Sequence, residues 1–429
     1  MNSQALTIIG QRSTATNGRR YIPAKPLMLH DPARHQSLIE LRWDEQRARD
    51  AIGRIVADTE ARFSADTYWP MHPRDAEGDD NAPATPLYHG ACGVIWALTY
   101  LEAMSAATLA RDYVAFIEPV RARNERWLAT FGGNASSYLM GDVPSLLLDY
   151  AMRPRHATLD RLDALIASNV EHPARELMWG SPGTMLAALF LHERTGEARF
   201  GDLFRSTAQT LRSQLAWSDQ FHCAYWTQDL YGQRSTYLDA VHGFVATAPP
   251  LIQGRQLLGS AAWSDWATTI KNTIHATATH ERGMVNWRAW LTQPSSRSLL
   301  MQFCHGAPGF VVCLADMPGS DVDDLLLAAG EAIWAAGPLA KGSNLCHGTA
   351  GNGYAFLKLY ARTADRLWLD RARAFAMHAI EQAYGEAQAV GRMRYSLWTG
   401  DPGLAIYLFD CIRAEPRFPT LDVFFAGAR

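Results

Sequence analysis

The stretch Phe303-Cys304-His305-Gly306-Ala307-Pro308-Gly309 recurs further along the chain as Leu345-Cys346-His347-Gly348-Thr349-Ala350-Gly351. Each copy sets a thiol beside an imidazole, then a glycine, two small residues and a second glycine, before an apolar run of helical character. One copy alone would read as a tight turn whose cysteine is a small buried apolar residue. Two copies in one frame reverse that reading, because packing does not require a Cys-His pair twice. Two thiols and an imidazole are three soft or borderline donors, the number a catalytic zinc takes while keeping its fourth position open.

The frame continues outward without the Cys-His pair. First glycines stand at Gly90, Gly141, Gly180, Gly243, Gly306, Gly348 and Gly400, and each leads into an apolar run such as Val94–Met104, Thr184–Leu191 or Leu404–Ile412. The intervals hold two helices and their loops each time, with amphipathic segments at Asp265–Ala276 and Leu369–Glu381 between the turns. Pro144 and Ala246 replace the second glycine in the second and fourth copies, so both are read as modified turns. Strand signals are sparse. The expected fold is all-α: seven helical hairpins with Gly-x-x-Gly turns, in an open solenoid or a closed ring. Closure is favoured because every turn carries the same apolar continuation. Glycine at these turns permits positive φ and close approach of neighbouring chain. Unpaired N–H groups at the helix starts would then face the middle of the ring and favour negative charge there.

The chain has 429 residues, a length that alone would suggest two or three domains, but the repeat points to one. Residues 1–34 are read as a lead-in and 35–429 as a single toroid. An amphipathic helical pattern begins at Asp31 and runs through Leu38, Ile39, Leu41, Ala51, Ile52 and Ile55. The proline-rich stretch Tyr68–Pro86 reads as a loop. Basic and acidic residues nearly cancel, 40 against 43, which argues against nucleic acid and anionic membrane as partners. No signal peptide or membrane-spanning run is visible. The 6 cysteines at irregular spacing read as reduced thiols available to metal, and the expected location is cytoplasmic.

With Glu176-Leu177-Met178-Trp179-Gly180, Ala240-Val241-His242-Gly243, the Phe303–Gly309 stretch and Lys341–Phe356 on the page, the sequence resembles the lanthionine synthetase C-like family over nearly its whole length from about residue 35. The resemblance implies a double-layered α/α toroid of seven inner and seven outer helices. It implies Zn²⁺ held by Cys304, Cys346 and His347, and addition of a thiol to dehydroalanine or dehydrobutyrine. Bacterial cyclases of the family carry an arginine four residues before the first zinc cysteine, where this chain has Leu300. The eukaryotic-type branch, which adds glutathione, carries a lysine five before the second, where Lys341 stands. The chain is thus more similar to the glutathione-adding branch.

A free thiol is only a few per cent thiolate at neutral pH, and coordination to zinc deprotonates it. Attack on the β-carbon of a dehydroamino acid develops enolate charge and requires a proton donor for the α-carbon. His242 is the candidate donor, against the plainer reading of a capping histidine like His89. His305 competes as a ligand by spacing, and the family pattern assigns the metal to His347. Glu176 is read either as an orienting partner for His242 or as an exposed helix-end glutamate. Asp142 and Asp401, directly after repeat glycines, are expected to cap the helix amides that follow. Glutathione has two carboxylates, so Lys341 and Arg392 (or Arg394) are the candidate substrate cations, with solvated surface as the simpler reading of the arginines. The 14 tryptophans, Trp179 and Trp398 among them, are expected in the core. The expected partners are glutathione or a peptide thiol, and a peptide or protein carrying a dehydroamino acid. The competing functions are a lanthipeptide cyclase and a non-catalytic zinc scaffold that binds glutathione or protein; a glycan-processing α/α barrel is weaker because it leaves the two Cys-His-Gly copies unexplained.

Overall fold

The computed structural model describes residues 28–75, 84–292 and 298–426. Outer helices α1 (Glu45–Ala61), α3 (Ile117–Ala129), α5 (His156–Ser168), α7 (Ala198–Ser213), α10 (Ser260–Thr277), α12 (Asp323–Ala336) and α14 (Arg366–Val390) alternate with inner helices. The inner set is α2 (Ala91–Ala103), α4 (Val143–Met152), α6 (Ser181–Thr195), α8 (Ala248–Gln253), α11 (Ala307–Leu314), α13 (Thr349–Thr363) and α15 (Asp401–Arg413), while α9 (Arg255–Leu258) is a short connector. Burial separates the layers. Helix α6 is buried at every position from Ser181 to Leu191, whereas α7 buries one stripe through Phe200, Phe204, Ala208 and Leu211. A helix apolar all round must be enclosed, and one with a stripe covers it. Helix α15 packs on both α1 and α2, so the ring is closed and the fold is an α/α toroid.

The glycine turns are explained by close approach more than by backbone handedness. A Cβ on Gly93, Gly183, Gly309, Gly351 or Gly403 would collide with the carbonyl of Leu87, Leu177, Phe303, Leu345 or Leu397 respectively. Of the seven first glycines, only Gly306 has positive φ, at 115°. The modified turns differ as expected. Helix α4 begins at Val143, and the fourth inner helix opens with 3-10 geometry over Phe244–Thr247 before α8.

Neighbouring turns are tied by peptide hydrogen bonds two or three residues before the first glycine. Trp398 N donates to Tyr88 O at 3.1 Å, Tyr88 N to Leu139 O at 3.1 Å, and Leu139 N to Met178 O at 3.2 Å. Leu177 N donates to Val241 O at 3.0 Å, Cys304 N to Cys346 O at 3.0 Å, and Cys346 N to Trp398 O at 2.9 Å.

Three features depart from the sequence reading. Leu38, Ile39 and Leu41 lie on non-helical chain; α1 starts at Glu45, where the Asp44 side chain accepts from Arg47 N. Three small hairpins precede turns four and five: β1 (Ala216–Ser218) with β2 (Cys223–Tyr225), β3 (Gln228–Leu230) with β4 (Gln233–Ser235), and β5 (Ala278–Glu281) with β6 (Met284–Trp287). Finally, the C-terminal segment occupies the interior of the ring. Trp96 of α2 donates to Phe424 O, Gln253 of α8 to Leu421 O, and Lys358 of α13 pairs with Asp422 at 2.9 Å, while Phe418 stacks on Phe303.

The close approach makes a sharp contrast testable. Gly351→Ala is expected to destabilise the fold by about 3 kcal/mol, as overpacking against unyielding backbone does. Gly53→Ala, with open space around it on α1, is expected to be neutral or to gain up to about 1 kcal/mol. Urea denaturation of both variants checks this, and equal effects would refute the packing account.

Candidate metal centre

Turns five and six supply the first residues of the site. Cys304 and Cys346 both stand two residues before a first glycine, so the backbone hydrogen bond between their turns sets the thiols side by side. The donor atoms of Cys304, Cys346 and His347 lie within 4.8 Å of one another, and no other such group of three occurs among the described residues. His347 Nε2 is buried without a hydrogen-bond partner. An orphaned buried nitrogen costs about 1–3 kcal/mol, and a bound metal ion is the partner that would remove that cost.

Each sulfur also receives a donor. Tyr88 OH donates to Cys346 Sγ at 2.9 Å, and Gln302 Nε2 to Cys304 Sγ at 3.0 Å. The Cys346 thiol is held well below its ordinary range by the hydrogen bond from Cys304, helped by His347 and Tyr88. Burial, and then the charge on Cys346, pushes Cys304 up. Two thiols and an imidazole form a donor set that fits a thiolate-binding divalent ion. His305 is not among the donors: its Nδ1 lies 2.7 Å from Asp239 Oδ2.

His242, one residue before Gly243, brings an imidazole to the same centre. Its Nδ1 is 3.0 Å from Glu176 Oε2, and its ring centroid is 6.5 Å from that of His305. Glu176 is fully buried, which removes the exposed-glutamate reading. Its carboxylate also accepts from Met178 N at 2.8 Å, Gly180 N at 3.1 Å and Trp179 N. Burial alone would lower the His242 pKa, but the hydrogen bond and charge of Glu176, with Asp239 and Cys346, outweigh it and raise the pKa above 6.5.

The candidate substrate cations lie together under residues 71–75. Arg74 donates to Lys341 O at 2.8 Å, Arg392 to Met71 O at 2.8 Å, and Arg394 pairs with Asp75. Arg394 is buried and Arg392 half-buried, with its Nε lacking a partner, so neither is solvated surface; the Lys341 side chain is exposed. Asp142 and Asp401 do not cap their helices. Asp142 accepts from Arg121 and Asn124 of α3, and Asp401 from Arg394 N and Ser343. The outer helix and the loop reach these carboxylates from the side.

Trp398 is core, but Trp179 sits half-exposed on a rim, with Nε1 3.3 Å from Tyr231 OH and its ring 6.4 Å from Phe131. Tyr231, at the tip of the β3–β4 hairpin, is 6.2 Å from the His242 ring. Sequence reasoning passed over Tyr88, Gln302 and Asp239. The available signal was position, since they stand two or four residues before a first glycine.

A family model described as lanthionine synthetase C-like protein matches residues 84–423. The chain is 27% identical over 380 residues to the glutathione S-transferase LANCL1 of Danio rerio, covering 82% of this chain and 86% of that protein. It is 32% identical over 141 residues to the LanC-like protein GCL1 of Arabidopsis thaliana, covering 31% and 32%. Nisin cyclase shares the fold at a TM-score of 0.55 and 14% identity, covering 86% of this chain and 94% of that one.

The donor set predicts one equivalent of a divalent metal in the native protein by elemental analysis. Cys346→Ala is expected to lose it, whereas His305→Ala is expected to retain it. Retention by the Cys346 variant would refute the assignment.

Proposed function

The chain belongs to the lanthionine synthetase C-like family, and on that premise we propose that it adds glutathione to dehydroalanine or dehydrobutyrine residues of peptides or proteins. The observation that carries the reading is the convergence of Cys304, Cys346 and His347 with the Glu176–His242 pair. Identity to a named glutathione S-transferase over most of both chains supports glutathione as the thiol. Zinc is the ion that suits two thiolates and an imidazole.

When bound, zinc would supply the Lewis acidity that favours the thiolate form of a substrate thiol at neutral pH. The remaining work falls to the chain. Tyr88 and Gln302 donate to the cysteine sulfurs and hold them in place. As the sulfur–carbon bond forms at the β-carbon, the carbon–carbon π bond breaks and its electrons move toward the neighbouring carbonyl oxygen. Protonated His242 delivers a proton to the α-carbon and is reprotonated with the proton lost from the thiol. Glu176 keeps that imidazole oriented and charged by accepting at Nδ1. Lys341 and Arg392 are proposed to receive the carboxylates of glutathione.

Incubating metal-loaded protein with a dehydroalanine peptide and glutathione is expected to add one glutathione mass per peptide. Failure with metal in place would count decisively against the reading. His242→Ala is expected to lower kcat about a hundredfold or more. The donor is the protonated imidazole and its pKa is raised. Activity should therefore hold below that pKa and fall as pH rises through it. Glu176→Gln should move this alkaline limb to lower pH; an unmoved limb would remove Glu176 from the role.

A further inference from the structure

A carboxylate stands four residues before the first glycine in turns three and four: Glu176 before Gly180 and Asp239 before Gly243. The two side chains do the same thing one repeat apart. Glu176 accepts from amides of its own turn and from the imidazole just before Gly243. Asp239 Oδ1 accepts from Val241 N at 3.0 Å and His242 N at 2.7 Å, while Oδ2 lies 2.7 Å from Nδ1 of His305, just before Gly306. Asp239 is fully buried.

Its location matters because of the ring of backbone hydrogen bonds between the turns. Six links join successive turns, and among the described residues no backbone–backbone hydrogen bond joins turn four to turn five. Where the ring would otherwise run from Val241 to the Cys304 turn, Val241 N points to Asp239 Oδ1 instead. The carboxylate then crosses to turn five through His305, next in sequence to Cys304. Tyr237 completes the contact, with ring centroids 5.6 Å from His242 and 6.4 Å from His305.

We infer that Asp239 is a positioning residue: its carboxylate supplies the missing link of the ring and thereby holds the His242 turn in register with the metal-ligand turn. It acts through His242 and His305 and touches no reacting atom. The inference rests on the proposed role of His242, but its geometric half does not. With the carboxylate gone, the amides of Val241 and His242 lose their acceptor, and His305 loses its anchor.

Two variants and two readouts test it. In Asp239→Ala, hydrogen exchange of a peptide spanning 236–246 is expected to accelerate tenfold or more, with a peptide spanning 395–404 unchanged. In Asp239→Asn, the amide oxygen can still accept from the two N–H groups, but the NH2 group cannot accept from His305. Exchange should then stay within about threefold of the parent, while kcat for glutathione addition falls between tenfold and a hundredfold, the range seen when supporting hydrogen bonds are lost. KM should change by less than threefold and metal content not at all. Unchanged exchange in the alanine variant, or a kcat within twofold of the parent in the asparagine variant, would overturn the inference. If the alanine variant does not fold, the asparagine variant decides by its kcat. A parent protein that makes no adduct refutes the proposed function alone, and exchange then judges Asp239.

Discussion

The contact on which the structure depends is the one between a glycine Cα at the start of an inner helix and the carbonyl of the residue six positions before it. In five of the seven turns, even a methyl group at that glycine would overlap the carbonyl. The space a side chain would take is what lets each helix start lie flat on its own turn. The residues just before the first glycine then face their counterparts in neighbouring turns, close enough for backbone hydrogen bonds of about 3 Å between them. Everything chemical rides on those positions. Cys304 and Cys346 stand two before a first glycine, and His242, His305 and His347 stand one before it.

Converging helix starts also explain why so many anions are buried there. Many helix-start amides are taken up by carbonyls of their own turns, as Ala91 N is by Ala84 O and Ala350 N by Ser343 O, against the expectation that they would stand unpaired. The amides just before the first glycines are the ones left to meet side-chain carboxylates. Glu176 and Asp239 accept from the turn amides, and Asp401 accepts from Arg394 N and Ser343. Burial still pushes the Asp401 carboxyl up to about 6. A buried charge is tolerated where donors meet it, and these donors are fixed peptide groups. Two of these carboxylates, Glu176 and Asp239, also raise the pKa of the His242 imidazole. Stability and reactivity thus draw on one arrangement.

The C-terminal segment meets Lys358 midway along α13 and Gln253 at the end of α8, and its Phe418 reaches the turns themselves by stacking on Phe303. It fills the interior with Phe418, Phe424 and Phe425, and Asp422 neutralises the buried Lys358. The Cys304–Cys346–His347 group and the Glu176–His242 pair lie among the turns, beside the half-exposed Trp179 and the exposed Tyr231.

Much of this was legible in the chain alone, because a repeat is a local pattern. Seven glycine frames with apolar continuations determined the number of hairpins, the inner layer and the turns where two thiols and an imidazole sit. Periodicity failed at Leu38–Leu41, where apolar residues at helical spacing pack as non-helical chain against the toroid. Three short hairpins and the central tail left no readable mark, since a few residues of strand have no sustained alternation. Which imidazole faces the thiols, and which is held by Asp239, could be decided only by tertiary structure. His305 and His347 occupy the same Cys-His-Gly-x-x-Gly frame, and their difference lies in what the fold presents to each: a buried carboxylate 66 positions away to one, two sulfurs to the other. Local sequence specifies the frame because glycine sterics act within a turn; the charge that meets each side chain comes from the next turn, and only ring closure sets that.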